Sequence, residues 1–317
     1  MRSWLKVMLA ASTALVLAAC GSDDDDEVQA PTLNIVETAQ SLPQFSILVE
    51  AVTAAGLGGT LSQPGPFTVF APTNDAFAAL LTELGVTKDQ LLADKTLLTA
   101  VLTYHVLPSQ VKAAGVPLGK AVPTVQEGVF KVDSMGGELV ITDGRNRTSN
   151  ITATDVMASN GVIHVIDKVI LPANKTIVET AQTLPQFSIL VEAVVAADLV
   201  DALNGEGPLT VFAPTNDAFN ALLAELAADG ITKDQLFADK ALLKSVLLYH
   251  VVDGRVMKAD VPLNTPIVTL ESGTFTVDST LAITDEDSPR KSNIVATDVF
   301  ASNGVIHVID KVLLPAP

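Results

Sequence analysis

The chain has 317 residues and carries 36 acidic against 19 basic side chains, a net charge of −17, with 48% of its residues hydrophobic. So acidic a chain has no basic stripe to neutralise phosphates, which argues against nucleic acid as a partner and against electrostatic attachment to anionic headgroups. A single cysteine excludes an internal disulfide, and one Trp (in the first four residues) with two Tyr argues against a deep sugar-processing cleft built on aromatic stacking.

Taken in order, Arg2 and Lys6 precede an uncharged run, residues 7–19, of apolar and small side chains. A basic start and 13 such residues fit an export signal and fall short of a membrane span. Leu17-Ala18-Ala19-Cys20 resembles the lipobox of bacterial lipoproteins, which implies a signal peptide over 1–19 and lipid on Cys20. The alternative is an ordinary secretory leader with a chance cysteine; the position of the sole cysteine favours the lipobox. An acylated Cys20 leaves no thiol for a metal or a nucleophile. Residues 21–27, GSDDDDE, repel one another and predict an extended spacer within a tether over 20–32. Such acidic runs also resemble surface-export tags, which is the sharper alternative.

Over residues 35–55 the apolar side chains Ile35, Val36, Ala39, Leu42, Phe45, Leu48, Val49 and Val52 recur at helical spacing, and Pro43 splits them into two short helices. Residues 56–66 are rich in Gly and Pro and predict a loop. Phe67 to Phe70 predict a strand, after which Thr73, Asn74 and Asp75 offer side-chain oxygens to cap a helix start. Thr87-Lys88-Asp89-Gln90 has the form of a capping box, and Asp94 is placed to cap the next helix. Beyond Tyr104-His105 the pattern turns to strands, at 129–132, 138–142, 150–156 and 162–171, with Asn160-Gly161 as a hairpin signal. Helices first and strands later predict an α+β class.

Everything in this unit then happens again. TVFAPTNDAF at 68–77 recurs letter for letter at 210–219. The block at 35–52 recurs at 177–194 with only Ser41 changed to Thr183, and ASNGVIHVIDKV at 158–169 recurs at 301–312. The offset is 142, 145 at the Tyr-His pairs and 143 at the end, so the chain is two copies of a domain of about 140 residues, at 33–172 and 173–317. The first block resembles the first signature of fasciclin domains, and Asn160 to Asp167 resembles the second, with the Tyr-His pair between them. That resemblance implies two tandem fasciclin-like domains, each a wedge-shaped β-sandwich with helices packed on it. The six-residue link at 171–176 predicts domains that touch or hold a limited range of angles.

All four histidines, His105, His164, His250 and His307, stand at repeat-equivalent positions. No Gly-x-Ser-x-Gly elbow, His-Glu-x-x-His or phosphate-binding Gly-Lys-Ser/Thr motif accompanies them. Asp167 follows His164 by three residues, and on a strand it points to the opposite face. No catalytic residue, metal ligand or cofactor site is therefore assigned, and His164 is expected as a buried, hydrogen-bonded imidazole. Family resemblance links the region of the Tyr-His pair to adhesion and integrin contact, which makes Tyr104, His105, Tyr249 and His250 the candidate interaction residues. For the imidazoles, structural support is the preferred role over direct contact. Asn146, Asn150 and Asn174 match the glycosylation acceptor pattern, which is without consequence in a bacterial lipoprotein. The function expected is a non-enzymatic, lipid-anchored adhesion or matrix-interaction protein of the cell envelope, at the outer membrane or cell surface, binding a surface or matrix protein or glycan. The alternative expected is a carrier of an apolar small molecule, a pigment or lipid, in a fasciclin cleft.

Overall fold

Polar side chains at helix starts do most of the local work. Asn34 accepts from the Glu37 amide and Glu37 returns to the Asn34 amide, a capping box that opens α1 (Ile35–Ser41). Pro43 then forces a single 3₁₀ turn before α2 (Ser46–Ala54). The computed structural model describes residues 31–228, 230–287 and 291–316. The export signal, Cys20 and most of the acidic tether lie outside the described residues.

Residues 56–66, expected as a loop, contain one helical turn, α3 (Gly58–Leu61). Its anchor is Leu61, which is buried in the core and holds the glycines in place. After β1 (Phe67–Pro72), Thr73 caps α4 (Asn74–Leu84) by accepting from the Ala76 amide, and Gly85 ends it in the left-handed region at φ 66. Asn74, expected as a cap, instead reaches back to α2. Its oxygen accepts from the Ile47 amide and its nitrogen donates to the Pro43 carbonyl and to Ser46 Oγ. The Thr87–Gln90 capping box opens α5 (Lys88–Ala93), and Asp94 caps α6 (Lys95–Tyr104).

The chain then enters β2 (Val106–Leu107), β3 (Ala121–Pro123), β4 (Val129–Met135), β5 (Glu138–Thr142), β6 (Thr148–Ala158) and β7 (Gly161–Ile166). The seven strands form one sheet in the order β2-β1-β7-β6-β5-β4-β3. Its centre is the parallel pair β1 and β7, in register from Phe67 opposite Gly161 to Pro72 opposite Ile166. The long β6 pairs with β5 through residues 148–150 and with β7 from Ile151 to Ala158, and two register shifts between Ile151 and Val156 bend it within the second pairing. The sheet thereby folds over on itself, and the Val125 amide donates to the Val106 carbonyl at 2.8 Å to draw the far edge back to β2. The result is the expected wedge.

Alternation along the central strands supplies two cores. Val69, Ala71, Ile163 and Val165 face the helices and pack with Ile35, Phe45, Phe77 and Leu98. Phe70 and Ile166 face the inside of the wedge with Tyr104, Phe130, Val132 and Ile141. The β6–β7 turn is Ser159-Asn160, one residue earlier than the sequence signal placed it, and Gly161 already begins β7. Glycine is needed there for another reason: a Cβ would stand 2.1 Å from the Phe67 carbonyl oxygen of the adjoining strand.

The second copy repeats the order. Its helices are α7 (Ile177–Gln182), α8 (Ser188–Ala196), α9 (Val200–Asn204), α10 (Asn216–Ala228), α11 (Lys233–Ala238) and α12 (Lys240–Tyr249). Its strands are β8 (Leu209–Pro214), β9 (Val251–Asp253), β10 (Ile267–Val268), β11 (Thr274–Val277), β12 (Ala282–Thr284), β13 (Lys291–Ala301) and β14 (Gly304–Ile309), in the equivalent sheet order.

Candidate interaction site at the Tyr-His pairs and the interdomain seam

α6 and α12 each end on the Tyr-His pair, and the structure turns both side chains inward. Tyr104 is 0% exposed; its hydroxyl donates to the Val129 carbonyl at 2.6 Å and accepts from the Gly144 amide at 2.8 Å. Burial, with the nearby Asp143 carboxylate, raises its pKa well above the ordinary phenol value. Tyr249 donates to the Thr274 carbonyl and accepts from the Glu286 amide, and burial raises its pKa too.

His105 follows as the cap of α6. Its Nδ1 lies 2.7 Å from the Val101 carbonyl, so that nitrogen carries the proton, and Nε2 accepts from the Ile170 amide at 3.1 Å. His250 makes the same pair of bonds with Val246 and Leu313. Burial lowers both pKa values to about 4, so both rings are neutral at pH 7. The four candidate side chains thus fasten the last helix to the wedge and to the segment leaving the domain. Their own side-chain atoms are buried and are not presented at the surface.

His164 and His307 are buried as well. Each Nε2 lies 2.9 Å from a carbonyl, of Val111 or Val256, and each Nδ1 accepts from an Asp amide, of Asp155 or Asp298. Both ring nitrogens of every histidine are therefore committed to backbone, which leaves no lone pair to act as a base. Asp167 is spent on the β6 edge, accepting from the Asn150 amide and its side chain.

The motif reading gives Asn160 only a turn position, and the structure gives it a larger role. Asn160 is a complete cross-link: its oxygen accepts from the Ile35 amide, and its nitrogen donates to the Leu61 and Gln63 carbonyls. Asn303 does the same in the second copy.

The short link predicts domains that touch, and the structure supplies the residues of that contact, which no motif named. Lys131 Nζ lies 3.0 Å from Asp298 Oδ2 and 3.2 Å from Asp133. Burial alone would lower the Lys131 pKa, and the two carboxylates outweigh it and raise it. Asp298 also accepts from the Lys258 amide. Asn146 exchanges two hydrogen bonds with the Phe300 backbone, at 3.1 and 2.7 Å, and Lys120 pairs with Asp260 at 2.9 Å. Met257, Phe300 and Val305 pack against Ala121 and Val129. The signal for this seam was divergence between otherwise matched copies: Lys120 and Lys131 correspond to Thr265 and Thr276.

Each copy also has a cleft between its first helices and its sheet. A cleft of about 110 Å³ between α1, α2, α3 and the sheet is lined by apolar side chains that include Ile35, Leu48, Val52 and Ile163. The equivalent cleft of the second copy holds only about 30 Å³.

A wedge of this topology, doubled and carrying both signature blocks in each copy, is the architecture of one domain family. A fasciclin-domain family model matches residues 43–172 and 185–315, and the chain belongs to the fasciclin-domain family. It is 30% identical over 278 residues to human periostin, covering 86% of this chain and 30% of periostin. The cyanobacterial protein sll1483 of Synechocystis is 47% identical over 146 residues, 44% of this chain and 74% of that protein. The cell surface glycolipoprotein MPB83 of Mycobacterium bovis is 34% identical over 148 residues, 45% of this chain and 62% of MPB83. The chain thus spans less than a third of the length of periostin.

Proposed function

We propose that this chain is a lipid-anchored, non-enzymatic adhesion protein of the cell envelope that presents two fasciclin domains as one unit to a surface or matrix protein or glycan. The observation that carries this is the seam: a charge pair, an amide exchange and an apolar contact join two family-matched domains in one orientation. Two linked sites gain avidity through effective concentration, and a fixed spacing sharpens that gain for partners of matching repeat. Support for the surface location comes from MPB83, named a cell surface glycolipoprotein, and from the lipobox-like Leu17 to Cys20. Binding of the full chain to immobilised matrix proteins, glycans and whole cells tests the proposal. Saturable binding that falls steeply when the seam is opened supports it, and no binding in any of these formats overturns it. Loss of palmitate labelling in Cys20→Ala tests the anchor.

A second function, carriage of a small apolar molecule, is favoured by the cleft of the first domain alone. Its volume of about 110 Å³ approaches the roughly 150 Å³ that holds benzene in an engineered apolar cavity. Position 58 is Gly where the second copy has Val200, which packs on its own core, and a Cβ at Gly58 would meet nothing within 4 Å. Extraction of the native protein followed by mass spectrometry tests this: a bound apolar molecule that Gly58→Val excludes supports carriage, and an empty native protein overturns it.

A further inference from the structure

We propose that the seam between the two domains binds the carboxylate groups of an acidic polysaccharide, through Arg255 in one cleft and Arg145 with Lys175 in the next. This rests on the adhesion function above and names the chemistry of its partner. The first cleft has a volume of about 260 Å³ and is walled by Gln126, Gly128 and Pro172 from one side and Arg255, Phe300 and Ser302 from the other. Its neighbour, of about 300 Å³, shares Phe300 and includes Arg145, Asn174 and Lys175. Each exceeds the roughly 150 Å³ that takes one six-membered ring.

The charge state of the arginines points to the ligand. Arg147 is fully engaged, with Glu83 at 2.6 Å, Asp143 at 2.7 Å and the Val169 carbonyl. Among the described residues Arg255 makes no ion pair, and its Nε is buried with no hydrogen-bond partner. A partly buried guanidinium without a counter-ion is a cost the fold leaves unmet, and a carboxylate that enters the cleft and pairs with its terminal nitrogens offsets it. Arg145 uses only its Nε, on the Pro172 carbonyl at 3.4 Å. In the first copy the position of Arg255 is Gln110, so the guanidinium is particular to the side that closes on the seam.

The same surroundings discriminate among anions. Glu127 lines the first cleft and is exposed, and the whole chain is at −17. A densely charged polyphosphate is repelled, whereas a carboxylate spaced by neutral hydroxyls adds little like charge. Gln126, Ser302 and the Asn174 amide supply partners for those hydroxyls, without aromatic stacking.

The test is calorimetric titration of the full chain with an oligogalacturonate, a neutral galactose oligomer of equal length, and acetate. The acidic oligomer is expected to bind and to raise the melting temperature, with no binding of the neutral one. Arg255→Gln is expected to weaken binding at least tenfold without lowering the melting temperature, since it removes an unpartnered charge. Arg255→Lys, which keeps the charge and loses the fork, is expected to fall between them. No binding of the acidic oligomer, binding unchanged in Arg255→Gln, or acetate binding as well at equal carboxylate concentration would each overturn the proposal. Cell and matrix binding that persists without oligogalacturonate binding overturns this site and leaves the adhesion function standing.

Discussion

A buried imidazole with both nitrogens spent on backbone is a pH-dependent fastener, and its sign follows from where each state takes the proton. The unfolded ring titrates near 6.5, whereas folded His105 and His250 resist protonation until about pH 4. Above pH 6.5 neither state is protonated and the full stability is present. As pH falls toward 4 the unfolded chain gains a proton the folded chain refuses, so stability is lost through that window, by about 3 kcal/mol per ring. Urea unfolding at pH 7.5, 5.5 and 4.5 should show this loss, and the double variant His105→Gln/His250→Gln should flatten it. A variant as steep as the parent would assign the slope to carboxylates. Tyr104→Phe, which strands the buried Val129 carbonyl and Gly144 amide, should cost about 1–3 kcal/mol in the same assay at pH 7.5.

Two glycines separate what an element needs from what it tolerates. At Gly161 a Cβ would stand 2.1 Å from the Phe67 oxygen, inside the parallel pair of β1 and β7. Gly161→Ala must spread that pair and should cost about 3 kcal/mol or more in thermal unfolding. Gly58→Ala meets open space in the short α3, so it should be neutral or stabilise by about 0.5–1 kcal/mol. The helices around these strands were legible because Thr87 and Asp94 cap by local rules, each accepting from an amide three residues on. The central strands were legible as short apolar runs bounded by turn signals. Asn74 and Asn160 were not, because their partners lie 27 to 125 residues away, and no periodicity encodes such a bond. The structural role preferred for His105 was legible, whereas its partner and that of Tyr104 were not, since Ile170 and Val129 come back to the helix end from 65 and 25 residues away.

At the level of the whole chain, duplication made the two domains plain and concealed how they join. Repeats reveal what both copies keep, whereas a head-to-tail contact uses one face of the first copy and a different face of the second. Asp298 is paired with Lys131 across the seam, whereas among the described residues its counterpart Asp155 has no such lysine and accepts from the Ala113 amide of its own domain. Thr276, the counterpart of Lys131, likewise lacks the charge to repeat this contact. Lys131→Thr should therefore release the domains while leaving each fold intact. Asp298 has only 2% side-chain exposure, so removing its cation leaves a buried carboxylate uncompensated, at a cost of about 3 kcal/mol. Small-angle scattering should show a larger radius of gyration, and a single unfolding transition should split into two. Adding Asp298→Asn removes the stranded charge and should recover part of the loss, which a double-mutant cycle reads directly. If Lys131→Thr leaves both scattering and unfolding unchanged, the amide exchange of Asn146 with Phe300 and the Met257 cluster suffice to hold the pair, and the charge sets orientation without adding stability.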